Sequence, residues 1–120
     1  MRTLLDDAKI HPAIRAKLES YHDDIVAEVQ AAVAANKVVV VGMKQNRFPR
    51  RARTTLAKRG TEFKYLEYGS YLGDYRRRLA LKMWTGWPTL PMIFVNGTLI
   101  GGAEDLERLI ETGELDRMLV

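Results

Sequence analysis

The sequence contains no cysteine. Disulfide bonds, thiolate ligands for metals and catalysis by a thiol of this chain are therefore excluded. Histidine is scarce as well, because the chain has 2, His11 and His22. They lie far apart in the N-terminal part of the sequence, so we expect no metal site there.

The sequence also lacks an apolar run long enough for a signal peptide or a membrane span. Its first residues, MRTLLDDAKIHPAIRAKL, already include two aspartates by position 7. We therefore expect a cytoplasmic protein that has no membrane partner. A chain of 120 residues that is 47% hydrophobic, without repeats or linkers, suits one compact domain.

Acidic residues are scarce in the middle of the chain. Residues 1–36 carry 4 basic and 6 acidic groups, residues 37–82 carry 13 and 3, and residues 83–120 carry 2 and 6. These blocks contribute −2, +10 and −4 to the net charge of +4. The middle block is where we expect an anionic partner to bind.

The segment from Pro12 to about Asn36 predicts one amphipathic helix, with Pro12 in its first turn. Its apolar residues recur three or four positions apart, at Ile14, Leu18, Tyr21, Ile25, Val29 and Val33. We interpret residues 1–36 as an N-terminal helical extension packed on a domain of residues 37–120. Dimerisation through this helix is the alternative.

The next segment predicts a βαβ unit. The run KVVVVG is too uniformly apolar to have one wet face, which predicts a buried strand ending near Gly42. A helix is predicted from Phe48 or Pro49 to about Lys58, with Gly60 ending it. The alternating segment TEFKYLEY predicts a second strand, and a connecting helix of this length makes the two strands parallel.

The last third of the chain predicts a helix in GDYRRRLALKMW, a break at TGWPTLP, a hairpin and a final helix. The hairpin turns at Asn96-Gly97, a pair favoured in type I′ turns. The final helix runs from Ala103 to about Glu111, and a short turn follows it. The order α, βαβ, α, ββ, α predicts an α/β fold with a four-stranded mixed sheet flanked by helices on both faces.

The segment TGWPTLPMIFVNGTLIGGAEDLERLIETGEL resembles the C-terminal half of glutaredoxins. It has a T-x-P element, a strand, an Asn-Gly hairpin, a strand, a Gly-Gly pair and a short acidic helix. The order Trp87-Pro88-Thr89 is similar to that of monothiol-type glutaredoxins. The resemblance covers about residues 37–119 and implies a thioredoxin-like fold with an extra N-terminal helix. It also implies that Pro91 is cis and that the backbone of Leu90 bonds to the cysteine of glutathione.

The same resemblance places the family's C-P-Y-C segment on Asn46, Arg47, Phe48 and Pro49. Asn46 stands where the nucleophilic cysteine would be, and Pro49 where the second would be. The family chemistry uses a thiolate that attacks a glutathione mixed disulfide, which an amide cannot do. We therefore expect no catalytic residue and no thiol–disulfide oxidoreductase activity. Monothiol members bind a [2Fe–2S] cluster through this cysteine, so no iron–sulfur cluster is expected either.

The glutathione site is the part of the family pattern that remains. Two cations on one helix face and a loop lysine would meet the glycine carboxylate. Backbone N–H groups at the start of the last helix would receive the glutamyl carboxylate, and an acidic side chain there would receive the glutamyl ammonium. The residues implied for this site are Lys44, Arg78, Lys82, Thr89, Leu90, Pro91, Ala103, Glu104 and Asp105.

Three hypotheses for the function follow. The leading one is a glutaredoxin-like binding or regulatory module that holds glutathione, or an anionic peptide, without covalent chemistry; a protein partner is compatible with it. The second is an enzyme of oxidoreductase or transferase type that uses bound glutathione as its thiol. The third is a nucleic-acid or acidic-protein binder built on the basic block, which lacks the aromatic-basic motif of known nucleic-acid modules.

Two interpretations of the arginines that follow the first strand stay open. Arg47, Arg50, Arg51 and Arg53 form either a solvated helix face or a contact with a ligand or partner. Cations near a helix start oppose its dipole by ~0.3–1 kcal/mol each, which favours a use in binding. The oligomeric state is left open.

Overall fold

The fold is built on one four-stranded sheet, which a computed structural model of residues 1–120 describes together with all the helices. The strands are β1 (Val38–Gly42), β2 (Lys64–Glu67), β3 (Met92–Val95) and β4 (Thr98–Gly101), in the order β2-β1-β3-β4. β1 is parallel to β2 and antiparallel to β3, and β3 is antiparallel to β4. The predicted mixed sheet is confirmed.

Helices cover both faces of the sheet. They are α1 (Pro12–Ser20), α2 (Asp23–Ala35), α3 (Arg47–Lys58), α4 (Tyr75–Thr85), α5 (Ala103–Glu111) and α6 (Glu114–Leu119). Val39 and Val41 of β1 pack in one core cluster with residues of α2 and α4. Val38 and Val40 pack in the other with residues of α3, α5 and α6. Because successive side chains point to opposite faces, the central strand must be apolar throughout.

The N-terminal region differs from the prediction of one helix between Pro12 and Asn36. α1 ends at Ser20, whose hydroxyl donates to the carbonyl of Ala16 at 3.0 Å, and α2 begins at Asp23. His22 between them has a φ of 44°, in the left-handed region. The apolar spacing continues across this break, while the aspartates that open α2 favour a helix N-terminus there.

The two helices of this region contribute unequally to the core. α2 supplies Ile25 and Val29, which are 0% and 1% exposed, whereas α1 buries no residue. A short 3₁₀ turn at Asp7–Lys9 precedes α1. None of the helices is both long enough and apolar enough to cross a membrane. The division of the chain at residue 36 and the cytoplasmic location remain predictions.

The remaining elements follow the predicted order. α3 begins at Arg47, one residue before the predicted start, because Asn46 caps it. Asn96 and Gly97 have φ values of 48° and 83°, the positive values that a type I′ turn needs at both positions. The peptide bond between Leu90 and Pro91 is cis, as the resemblance implied.

Candidate functional site

The loop after β1 turns directly into α3. Gln45 has a φ of 64°, and the side-chain oxygen of Asn46 accepts a hydrogen bond from the N–H of Phe48 at 2.9 Å. Pro49 is buried against β1, where a Cβ placed on Gly42 would lie 2.6 Å from the Pro49 Cβ. Gly42 therefore lets α3 approach the strand end, and Asn46 serves as the N-cap of the helix.

A groove of about 370 Å³ lies beside this loop. The segment around the cis Leu90–Pro91 bond and the start of α5 both line it. Its lining residues are Phe48, Trp87, Thr89, Leu90, Pro91, Gly102, Ala103, Glu104 and Asp105. The structure thus brings together the predicted residues of the T-x-P element and of the last helix.

Several backbone groups of residues that line the groove have no hydrogen-bond partner in the chain. Neither the N–H nor the C=O of Leu90 has a hydrogen-bond partner in the chain, and the same holds for the N–H groups of Ala103 and Glu104. The Asp105 carboxylate accepts the N–H of Gly102 at 2.9 Å, which fixes the entry to α5. Glycine has no side chain to return this bond, so only half of a capping box is formed. The groove can therefore offer backbone donors to an anion at one end.

The predicted cations do not line this groove. Arg78 is 6% exposed, and its Nη1 donates to the carbonyl oxygens of Tyr68 at 3.0 Å and Gly73 at 2.6 Å. Lys82 is half-buried and Lys44 is exposed. In this structure Arg78 holds the loop before α4, so the guanidinium that was expected to meet a carboxylate already has backbone partners.

Two aromatic residues in the lining were not assigned to the site from the sequence. Phe48 packs partly against the core cluster on the α3 face, and Trp87 packs partly against the cluster on the α4 face. Trp87 belongs to the quoted Trp-Pro-Thr signature, and Phe48 lies inside the C-P-Y-C position. Their positions in these two motifs are the sequence signals that could have identified them as groove residues. Both add apolar surface to the lining of the groove.

The comparisons with known proteins agree with this geometry. A model of the glutaredoxin family, described as "Glutaredoxin", matches residues 38–100. A "Glutaredoxin-like protein" of Dictyostelium discoideum is 45% identical over 98 residues, which cover 82% of this chain and 80% of that protein. This chain belongs to the glutaredoxin family.

Monothiol glutaredoxins are among the relatives, in line with the Trp87-Pro88-Thr89 order. A "Probable monothiol glutaredoxin 2" of Rickettsia typhi is 35% identical over 96 residues, covering 76% of this chain and 84% of that protein. The crystal structure of a buckwheat glutaredoxin–glutathione complex superimposes with a TM-score of 0.71 at 23% identity, over 84% of this chain and 92% of that one. The thioredoxin-like glutaredoxin fold is confirmed, and the chain has it without a single cysteine.

An iron–sulfur cluster does not fit the glutaredoxin loop of this chain. The resemblance assigns the position of the family's cysteine ligand to Asn46, whose side-chain oxygen accepts a hydrogen bond from the N–H of Phe48. Such clusters are held by thiolates, which an amide cannot replace.

The arginines of the basic block are divided among several contacts. Arg51 forms a two-pronged pair with Glu107 of α5, with Nε 2.7 Å from Oε1, and this hydrogen bond raises the pKa of Arg51. The guanidinium of Arg53 lies 4.0 Å above the ring centre of Tyr65. Arg47 and Arg50 remain exposed without an acidic partner. Arg47 and Arg50 therefore fit the solvated-face interpretation, whereas Arg51 and Arg53 contact other residues of the chain.

The largest concavity, of about 970 Å³, lies at the opposite end of the sheet from the Asn46 loop. It is formed where α2 leads into β1 and where residues 60–63 lead into β2. Lys37 and Glu62 are the only charged residues in its lining. None of the predicted site residues reaches it, so the smaller groove is the better candidate.

Proposed function

We propose that this cysteine-less glutaredoxin binds glutathione noncovalently in the groove between the cis-proline segment and the start of α5. The observation that carries the proposal is that the free Leu90 backbone groups and the free N–H groups of Ala103 and Glu104 line the same groove. A peptide backbone can pair with the first, and a carboxylate can be received by the second. The neighbouring fold with bound glutathione, from buckwheat, supports the choice of ligand.

The charges at the groove suit the glutamyl end of glutathione. The N–H groups of α5 would bind its carboxylate, while the exposed Glu104 carboxylate would bind its ammonium. Lys44 and Lys82 are proposed to attract the glycine carboxylate from the rim, because the guanidinium of Arg78 is engaged with the backbone. The role proposed for the bound state is binding or regulatory, and no residue of the chain can exchange a disulfide.

Isothermal titration calorimetry with reduced glutathione tests this proposal. We expect a dissociation constant of roughly 0.1–1 mM, which corresponds to about −4 to −5.5 kcal/mol. Glu104→Lys should weaken binding by about tenfold, because it removes the partner of the ammonium and adds a like charge. Glu111→Lys, at the other end of the same helix, is the matched control and should leave the affinity unchanged.

A steric variant gives an independent check. Thr89 is exposed in the groove, so Thr89→Trp should fill it and abolish the heat of binding. Thr54→Trp, on the exposed side of α3, should bind glutathione normally. Absence of any binding at millimolar glutathione, or equal binding by the Thr89→Trp protein, would refute the proposal.

The enzymatic alternative predicts a different result. An enzyme that uses bound glutathione as its thiol should turn over an electrophile or a disulfide faster than free glutathione does. The binding proposal predicts a rate equal to that of free glutathione. An excess rate that Thr89→Trp abolishes would favour the alternative.

A further inference from the structure

Three features of the chain concern which chemical group the groove accepts on the sulfur of the ligand. The chain has no thiol with which that sulfur can exchange. The side-chain oxygen of Asn46 is bonded to the N–H of Phe48, and Pro49 is buried against Gly42. Nothing at these two positions therefore requires the ligand to carry a free thiol.

The lining of the groove instead includes apolar surface. Phe48 and Trp87 are each half-buried. Each packs partly on a different core cluster, and this packing holds the side chain in place. The indole nitrogen of Trp87 is shielded from solvent and has no hydrogen-bond partner. Leu90 and Pro91 complete the apolar part of the lining.

We infer that the groove favours S-substituted glutathione, a thioether bearing an apolar group, over glutathione itself. This inference rests on the proposed function, since the peptide part of the ligand is held by the same backbone groups. The cysteinyl residue pairs with Leu90, and the apolar substituent on its sulfur packs on the apolar lining to which Phe48 and Trp87 contribute. A thiol in this place would leave the two rings in contact with water.

The size of the effect follows from the area that an alkyl group buries. Each methylene removed from water strengthens binding, and a chain of six carbons lying in an open groove buries only part of its surface. We expect S-hexylglutathione to bind about tenfold more tightly than reduced glutathione, and S-methylglutathione to lie between them.

Calorimetric titration of the full-length protein with these three ligands tests the inference. A fourth ligand, S-(2-hydroxyethyl)glutathione, has a polar substituent and should bind no more tightly than S-methylglutathione. This comparison uses the unaltered protein, so it does not depend on whether a variant folds. Displacement of S-hexylglutathione by excess glutathione should show that the two ligands share one site.

Variants then locate the apolar contact. Phe48→Ala should reduce the ratio of the two affinities, S-hexylglutathione to glutathione, from about tenfold to about twofold. Phe48→Leu, which retains more of the packing, should give an intermediate ratio. Tyr71→Ala removes an exposed aromatic residue outside the groove and should leave the ratio unchanged.

The outcomes separate the inference from the proposed function. If the protein binds reduced glutathione, and binds S-hexylglutathione equally or more weakly, the inference is overturned and the proposed function stands. A tighter S-hexyl complex that glutathione cannot displace also overturns it, because the alkyl chain then binds elsewhere. Absence of binding by all four ligands overturns both.

Discussion

Arg78 stands on α4 with its guanidinium enclosed by the loop that precedes the helix. The run Arg76-Arg77-Arg78 gives three cations in a row, which point in different directions on a helix. Arg76 is exposed, Arg77 lies 3.3 Å from Asp24 of α2, and Arg78 is buried. Neighbouring positions on a helix cannot all address one ligand, but the run alone does not determine which of the three side chains turns inward.

Replacing Arg78 should destabilise the fold. Arg78→Ala leaves the carbonyl of Tyr68 without a donor and that of Gly73 with only the N–H of Ser70 at 3.4 Å, so we expect a loss of about 2–4 kcal/mol in the free energy of unfolding. Chemical denaturation measures this loss. Arg76→Ala, on the exposed side, should change stability by less than about 0.5 kcal/mol. Equal effects of the two substitutions would contradict the structural role given to Arg78.

Tyr65 makes the stability depend on alkaline pH. Burial raises its pKa to about 12, the cation of Arg53 opposes this shift, and the hydrogen bond from its hydroxyl to Glu67 adds to it. The ordinary tyrosine pKa is about 10. Between these values the unfolded chain has released the proton that the folded chain retains, so stability falls as the pH rises from about 10 to 12. Thermal unfolding of Tyr65→Phe over this range should show a smaller fall than the parent protein, and an equal fall would contradict the assignment.

At the scale of the elements, local sequence patterns predicted the structure correctly where a short segment by itself determines the backbone conformation. The uniform β1 run, the Asn-Gly turn and the Gly-Gly pair before α5 each determine a backbone conformation within a few residues, and all three were found as predicted. The break between α1 and α2 was missed because apolar spacing continues through it. Phe48 and Trp87 line one groove only because two segments that are distant in sequence approach each other in the fold. No local sequence pattern contains that approach.

The start of α3 provides a test of the thiol-free loop. Asn46→Cys would place a thiol at the N-terminus of a helix, where the dipole and nearby cations lower a thiol pKa. We expect its alkylation by iodoacetamide at neutral pH to be at least tenfold faster than that of Thr54→Cys, which lies in an exposed part of the same helix. Loss of the asparagine cap should cost about 1 kcal/mol of stability. Equal alkylation rates would show that the loop does not retain the glutaredoxin geometry.

Across the whole molecule, the uneven charge along the sequence is partly balanced in space. Arg51 pairs with Glu107, Arg59 with Asp116 and Arg77 with Asp24, so cations of the middle block meet acids of both terminal blocks. A sum over sequence blocks cannot include such pairs. The field available to an anionic macromolecule is therefore weaker than the +10 of the block suggests, and the nucleic-acid hypothesis gains no support from this distribution.

Truncation of the N-terminal region tests which of its helices belongs to the fold. Removal of residues 1–20 takes away α1, which buries no residue, and should cost less than about 2 kcal/mol. Removal of residues 1–35 also takes away Ile25 and Val29 from the core, at about 2–5 kcal/mol for a buried aliphatic residue such as Ile25. The longer truncation should therefore lose cooperative thermal unfolding, since total stabilities are about 5–15 kcal/mol. Cooperative unfolding of both fragments would instead support a separable extension of residues 1–36.

The groove of this glutaredoxin has no thiol, and we propose that it still binds glutathione. The most direct measurement is a titration of the ¹⁵N-labelled protein with reduced glutathione, followed by amide chemical shifts. We expect saturable shifts at Leu90, Ala103 and Glu104, with no change at the amides of α6. Shifts that are absent at millimolar glutathione, or that are confined to residues outside the groove, would contradict it.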